Sequence, residues 1–143
     1  MLIGEYEHTI DDKNRLTLPA KFREVFADGL VLTRGMDGCL YVYTREEWER
    51  IADDIRRHDP LSPDARKMRR FFFAGASEDR PDKQGRISVP PALAQAASLD
   101  REVVVAGVYD HLEVWDRKAW RDQLKLVEGS AEDVAQRLAA TRD

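Results

Sequence analysis

Two stretches of the sequence carry the same pattern and decide its organisation. Residues 11–19 read Asp11-Asp12-Lys13-Asn14-Arg15-Leu16-Thr17-Leu18-Pro19, and residues 82–90 read Asp82-Lys83-Gln84-Gly85-Arg86-Ile87-Ser88-Val89-Pro90. The offset of 71 residues extends upstream to Gly4 and Gly75. After one inserted residue, the match continues through Gly35/Gly107, Leu40/Leu112, Val42/Val114, Tyr43/Trp115, Arg45/Arg117 and Trp48/Trp120. Because solenoids need about three or more copies, two copies indicate a duplicated module that pairs with itself.

The residue pattern of each copy predicts a tight turn followed by a half-buried strand. Apolar and polar residues alternate in Arg15–Leu18 and again in Arg86–Val89. This alternation places the aliphatic side chains on one face and the arginines on the outward face. The residue before each arginine is Asn14 or Gly85, the types that best tolerate positive φ.

The same residue types flank the predicted strand in both copies. Asp11 and Asp82 open the two turns, where an aspartate is expected to accept hydrogen bonds from backbone amides rather than to bind a ligand. Pro19 and Pro90 follow the strands, and each is predicted to open a short helical turn. Both copies therefore have the same predicted turn and strand, followed by a proline.

A hairpin and a helix follow in each copy. Residues 30–33 and 40–44 are predicted strands joined by a glycine-containing loop, and residues 103–106 and 112–115 repeat them. Thr44 with Glu47 forms a capping box before one helix, and Asp116 caps its counterpart. A linker helix is predicted from Ser62, and a separate amphipathic helix from Ser130.

Composition excludes several classes of protein. The 143 residues include 23 Lys and Arg against 27 Asp and Glu, which gives a net charge of −4 and excludes a generally cationic nucleic-acid coat protein. The single cysteine, Cys39, excludes an intrachain disulfide and multi-cysteine zinc sites. His8, His58 and His111 lack metal-ligand spacing, so no metal and no cofactor are predicted.

The sequence contains no motif that indicates catalysis or a membrane. A glycine-rich phosphate loop, a nucleophile elbow and a His-Glu helix motif are all missing, so we expect neither an enzyme nor a small-molecule substrate. The acidic first dozen residues do not resemble a signal peptide. The longest apolar stretch, residues 103–108, is far short of the roughly 18 residues that span a bilayer. We therefore expect a cytoplasmic protein.

The residues resemble the MraZ family of bacterial transcription regulators of the division and cell-wall gene cluster. The resemblance rests on Met1-Leu2-Ile3-Gly4, on the Asp-x-x-x-Arg turns at 11–15 and 82–86, and on the proline after each strand. It implies an α+β fold of two tandem SpoVT-AbrB-like modules that form one pseudo-twofold unit with flanking helices. The implied segments are module 1 at 5–47, a helical connector at 48–75, module 2 at 76–119 and a C-terminal helical region at 120–143.

The same resemblance implies a function and its residues. Members bind repeated short DNA boxes upstream of their own genes as ring-shaped homo-oligomers, which places the protein at the nucleoid. By motif position, the implied DNA contacts are Lys13, Asn14, Arg15, Lys83, Gln84 and Arg86. The family's turns have glycine where Asn14 stands, and Asn also supports positive φ.

The sequence leaves two alternatives open. An outward arginine offers a bidentate fork to a guanine edge, but Arg15 and Arg86 could instead close internal salt bridges with Asp11 and Asp82. At the level of function, AbrB-like modules also serve as antitoxins, so the rival to DNA reading is a protein-interaction module that sequesters a partner protein.

Charge is weak around each motif. Residues 11–23 carry a net charge of +2 and residues 82–93 one of +1. One copy should bind DNA feebly, and several copies on several boxes can raise avidity by roughly 10² to 10⁴. The basic run at residues 66–70 could touch phosphates, but the adjacent Phe71-Phe72-Phe73 favours packing within an oligomer.

Overall fold

The structure is a computed structural model that describes residues 1–141. Its strands are β1 (Leu2–Thr9), β2 (Arg15–Thr17), β3 (Leu30–Arg34), β4 (Leu40–Thr44), β5 (Ser77–Asp79), β6 (Arg86–Ser88), β7 (Glu102–Tyr109) and β8 (Leu112–Asp116). Its α-helices are α1 (Arg45–Arg56), α2 (Pro63–Arg69), α3 (Pro91–Ala96) and α4 (Arg117–Ala140). A π-helical turn, Arg70–Ala74, extends α2.

The two repeats exchange strands within one antiparallel sheet. The sheet has the order β1-β7-β8-β4-β3-β5, and a separate two-stranded ribbon pairs β2 with β6. Strand β1 of the first repeat pairs along its whole length with β7 of the second, from Leu2 opposite Tyr109 to Thr9 opposite Glu102. Reciprocally, β5 of the second repeat pairs with β3 of the first. The expected α+β class with two tandem repeats is confirmed.

The strand registers describe a pseudo-twofold relation between the repeats. In the ribbon, Leu16 lies opposite its repeat counterpart Ile87. In the large sheet, Leu40 lies opposite Val114 and Val42 opposite Leu112, with Tyr41 facing Glu113 between them. Interchange of the repeats maps the pairs Leu16–Ile87 and Tyr41–Glu113 onto themselves, so the pseudo-axis passes through the centres of the β2–β6 and β4–β8 pairs.

The core lies between the ribbon and one face of the large sheet. Leu16 and Ile87 are 0% and 1% exposed, which confirms the predicted inward faces of both strands. Fully burying such a side chain contributes roughly 1.5–3 kcal/mol. The same cluster includes Leu18, Phe22, Phe26, Leu30, Leu32, Leu40, Val42, Val89, Leu93, Val103, Val105, Leu112 and Val114.

Helices cover the opposite face of the large sheet. The Thr44 hydroxyl accepts a hydrogen bond from the Glu47 amide at 3.1 Å, and the Asp116 carboxylate accepts one from the Ala119 amide at 3.1 Å. These caps satisfy otherwise unpaired amides at the first turns of α1 and α4. The predicted hairpins, both caps and the linker helix are therefore confirmed.

The expectation of a separate helix from Ser130 is wrong, because α4 runs without a break from Arg117 to Ala140. Gly129 lowers helix propensity by about 1 kcal/mol relative to alanine, and no proline is present to end the helix. The Ser130 hydroxyl donates to the Leu126 carbonyl at 2.7 Å and so stays within the helix. Among the described residues, no helix is both long and apolar enough to cross a membrane.

Candidate nucleic-acid interface

The two Asp-x-x-x-Arg turns stand at opposite ends of the β2–β6 ribbon. Asn14 and Gly85 have φ values of 58° and 75°, both in the left-handed region. In the first turn, Asp11 Oδ1 accepts from the backbone amides of Lys13 at 2.9 Å and Arg15 at 2.8 Å. One carboxylate oxygen therefore fixes the whole turn, because it joins the residues on either side of Asn14.

The second turn has the same hydrogen bonds as the first, and their lengths agree to within 0.1 Å. Asp82 Oδ1 accepts from the backbone amides of Gln84 and Arg86, each at 2.9 Å. Lys83 and Gln84 are exposed, as are Lys13 and Asn14 in the first turn. Pro19 lies directly before a 3₁₀ turn, Ala20–Phe22, and Pro90 directly before α3.

Both arginines are held by the aspartate of their own turn. Arg15 Nε donates to Asp11 Oδ2 at 2.8 Å, and Arg86 Nε donates to Asp82 Oδ2 at 2.7 Å. Their side chains are 31% and 29% exposed. The internal salt bridges are present, yet within residues 1–141 they engage only Nε. Within the described residues, Nη1 and Nη2 of each guanidinium donate no hydrogen bond.

The hydrogen bonds of the turns keep both aspartates ionised. The backbone amide of Arg15 lowers the pKa of Asp11, and the Arg15 side chain and the Lys13 amide act in the same direction. The pKa of Asp82 is lowered in the same way, chiefly by the Arg86 amide. A hydrogen bond to a carboxylate favours its charged form, so each turn contains a stable anion that orients its arginine.

Backbone hydrogen bonds between the repeats fix the two turns relative to each other. The Leu18 amide donates to the Gly85 carbonyl at 2.8 Å, and the Val89 amide donates to the Asn14 carbonyl at 2.8 Å. The residue with positive φ in each turn is thus bonded to the strand end of the other repeat. The two arginines therefore lie on one ribbon, and these hydrogen bonds fix the position of one turn relative to the other.

Arg23 is a cation beside the second turn that the motif comparison missed. Its Nε donates to the Leu18 carbonyl at 3.2 Å, and its side chain lies over Gly85, where a Cβ would come within 2.6 Å of Arg23 Cδ. The repeat counterpart of Arg23 is Ala94. Comparison of the two repeats does not identify Arg23, because only the first repeat has an arginine at this position.

The first turn has a different neighbour. Asp12, where the second turn has Lys83, lies 3.6 Å from the Arg101 guanidinium. The two turns therefore have the same backbone conformation and the same Asp–Arg pair, but their neighbouring charges differ. Among residues 1–141, no group of three or more His, Cys, Asp or Glu side chains is placed to hold a metal ion.

Comparison with known proteins gives one family. The protein-family model for the MraZ protein, described as antitoxin-like, matches residues 1–71 and again residues 72–142. Proteins named Transcriptional regulator MraZ are 43% identical in Caldanaerobacter subterraneus subsp. tengcongensis, 44% in Heliobacterium modesticaldum and 43% in Caldicellulosiruptor saccharolyticus. Each match extends over 138 residues, 96% of this chain and 96% of the relative. Two matches to the family model and this identity across nearly the whole chain show that the protein belongs to the MraZ family.

Proposed function

We propose that the protein is a transcriptional regulator that binds double-stranded DNA through the turns at residues 11–15 and 82–86. The observation that carries the proposal is the pair of Asp-held arginines at the two ends of one rigid ribbon. The relatives' name, transcriptional regulator, supports the same role. We assign the contacts to the modules at 5–47 and 76–119, with residues 48–75 as their connector.

In the proposed contact, the arginines read bases and the lysines position the protein. Asp11 and Asp82 bind the Nε of their arginines, so Nη1 and Nη2 are left to donate to the O6 and N7 acceptors of a guanine in the major groove. Lys13 and Lys83 are exposed beside them and suit phosphate contacts, which position a protein without reading sequence. Asn14 and Gln84 supply amides that can reach a neighbouring base edge.

Because each turn has only a weak positive charge, tight binding needs several copies of the protein on one DNA molecule. The net charge of −4 gives little general attraction to DNA, and the pseudo-twofold arrangement suits boxes that are repeated. We propose a ring-like homo-oligomer on short boxes upstream of its own gene cluster, in the cytoplasm at the nucleoid. Its affinity arises from avidity, which raises binding by roughly 10² to 10⁴ over one site.

The test replaces the arginines and measures DNA binding and folding separately. Arg15→Ala and Arg86→Ala are compared with Arg57→Ala, a change to an exposed arginine at the C-terminal end of α1. On DNA from upstream of its own gene, each turn variant should lose about 1–3 kcal/mol per contact, and the control should bind normally. Variants that lose stability while their folded fraction binds DNA normally would refute the assignment.

Salt and box number give a second measurement. Phosphate contacts release counterions, so wild-type affinity should fall steeply as salt rises. A probe with several boxes should bind far more tightly than a probe with one. Equal affinity for both probes would remove the avidity argument.

A second candidate function comes from the description of the family as antitoxin-like. In that case the module would sequester a partner protein, as AbrB-like antitoxins do. Binding to the upstream DNA would then be independent of Arg15 and Arg86, which separates the two candidates in the same experiment.

A further inference from the structure

Helix α4 extends beyond the body of the protein with an uncovered apolar face. Its first half packs on β7 and β8, and Trp120 Nε1 donates to a Glu5 carboxylate oxygen at 2.7 Å. From residue 125 to residue 140, every position is exposed except the half-buried Ser130. Residues 128–140 extend about 20 Å at 1.5 Å per residue.

The exposed half continues the apolar pattern of the covered half. The residues Trp120, Leu124, Val127, Ala131, Val134 and Leu138 are spaced alternately by four and three. This is the seam of a helix that packs against another helix. Val127, Val134 and Leu138 are 50%, 38% and 67% exposed, so the second half of the seam has no partner among residues 1–141.

The first repeat shows what covers the equivalent surface. Ile55 on α1 is the repeat counterpart of Val127 on α4, and α2 packs against this end of α1. Helix α1 ends at Arg56, Pro60 lies in the connection that follows, and Pro63 is the first residue of α2. The corresponding part of α4 has no proline, and the helix continues outward as far as Ala140.

We infer that the second half of α4 pairs antiparallel with the same segment of a second copy, so that each copy supplies the covering helix that α2 supplies within the first repeat. In this register Val127 lies against the other copy's Leu138, and Ala131 against its Val134. The arrangement is closed and symmetric, because each contact occurs twice. The inference rests on the proposed function in one respect, since self-association is part of that proposal.

The residues of α4 fit this partner. Ala131 and Ala135 are small and allow the two backbones to approach closely, while Val127 and Leu138 fill the ends of the contact. Next to the seam, Glu128 faces the other copy's Ala135, and Ser130 faces its Arg137. No like charges meet, and the acidic Glu132 and Asp133 point away from the contact.

Cysteine cross-linking tests both the contact and its direction. The double variant Val127→Cys/Leu138→Cys should form dimers under mild oxidation, and each single variant should not. Residues 127 and 138 are about 16 Å apart along one helix, too far for a disulfide within a chain. Gln136→Cys, on the opposite side of α4, is the matched control. Cross-linking of Val127→Cys alone would indicate parallel pairing and overturn the antiparallel register.

Mass measurement by light scattering gives an independent test without DNA. Val134→Arg should at least halve the number of subunits in the assembly, and Gln136→Arg should leave it unchanged. An assembly of unchanged mass in Val134→Arg, or a double cysteine variant that does not cross-link, would overturn the inference. Rings that form without the cross-link refute only the α4 contact, whereas cross-linked dimers that form no ring refute only the proposed ring.

Discussion

The backbone amide of Val89 donates to the carbonyl of Asn14 at 2.8 Å, although the two residues belong to different repeats. The equivalent bond joins Leu18 to Gly85. Each Asp-x-x-x-Arg turn is thereby fixed by the other half of the molecule. Damage to the turn geometry of one repeat should therefore reach the second.

Asn14 tests the requirement for positive φ in the first turn. Asn14→Gly should leave stability nearly unchanged, because glycine adopts φ near 58° without strain. Asn14→Val should cost on the order of 1–2 kcal/mol, because the left-handed conformation is unfavourable for a β-branched residue. Thermal unfolding of both variants measures the difference, and equal melting temperatures would contradict the assignment.

Gly85 should be less tolerant than Asn14, because Arg23 lies over it. A Cβ at position 85 would come within 2.6 Å of Arg23 Cδ, whereas the counterpart of Arg23 is the short Ala94. Gly85→Ala should therefore destabilise the protein more than Asn14→Ala in urea unfolding.

A double-mutant cycle isolates the contribution of Arg23. Part of the cost of Gly85→Ala should disappear when Arg23→Ala is added, since the two positions are in contact and are not expected to be additive. Additive free energies of unfolding would show that the cost at Gly85 is due to φ alone.

Acid should weaken both turns. The pKa values of Asp11 and Asp82 are lowered in the folded protein, so their stabilising effect is present above the unfolded pKa of about 3.9 and is lost as the pH falls through the folded pKa. Between about pH 5 and about pH 2, wild-type stability should fall more steeply than that of Asp11→Asn/Asp82→Asn.

Gly107 should be needed for the pairing of β1 with β7. A Cβ there would lie 2.6 Å from the Leu2 carbonyl carbon and 2.7 Å from the Ile3 nitrogen, both backbone atoms that cannot rotate away. Gly107→Ala should destabilise the protein by about 1–3 kcal/mol, the usual cost of overpacking. Gly129→Ala in α4, where nothing lies within 4 Å, should be neutral or stabilising in the same denaturant unfolding experiment.

Local features of the sequence predicted most of the elements. The hairpin at residues 30–44 and the caps Thr44 and Asp116 depend on neighbouring residues, so alternation and capping patterns are enough to find them. The pairing of Asn14 with Gly85 in the repeat alignment also predicts the positive φ that both residues have. These features need no information about distant parts of the chain.

Features that depend on distant contacts were not predicted. Pairing of β1 with β7 joins residues about 100 positions apart, and no local pattern specifies that register. The Gly129-Ser130 pair resembles a helix boundary, but helix geometry can continue through it at modest cost. The Asp–Arg pairs engage only Nε of each arginine, and this depends on side-chain geometry. The sequence alone therefore does not show whether the guanidinium is fully engaged by the aspartate.

The strand exchange sets an order of events during synthesis. Strand β1 ends at Thr9, and its partner β7 ends at Tyr109. At translation rates of roughly 5–20 residues per second, β1 leaves the ribosome roughly 5–20 s before it can pair. Glu5, Glu7 and His8 within it are charged or polar, which protects an open strand edge from association with other chains. Strand β1 must therefore wait until residues 102–109 have been made, and a chain that stops before residue 102 has no β7 with which to complete its sheet.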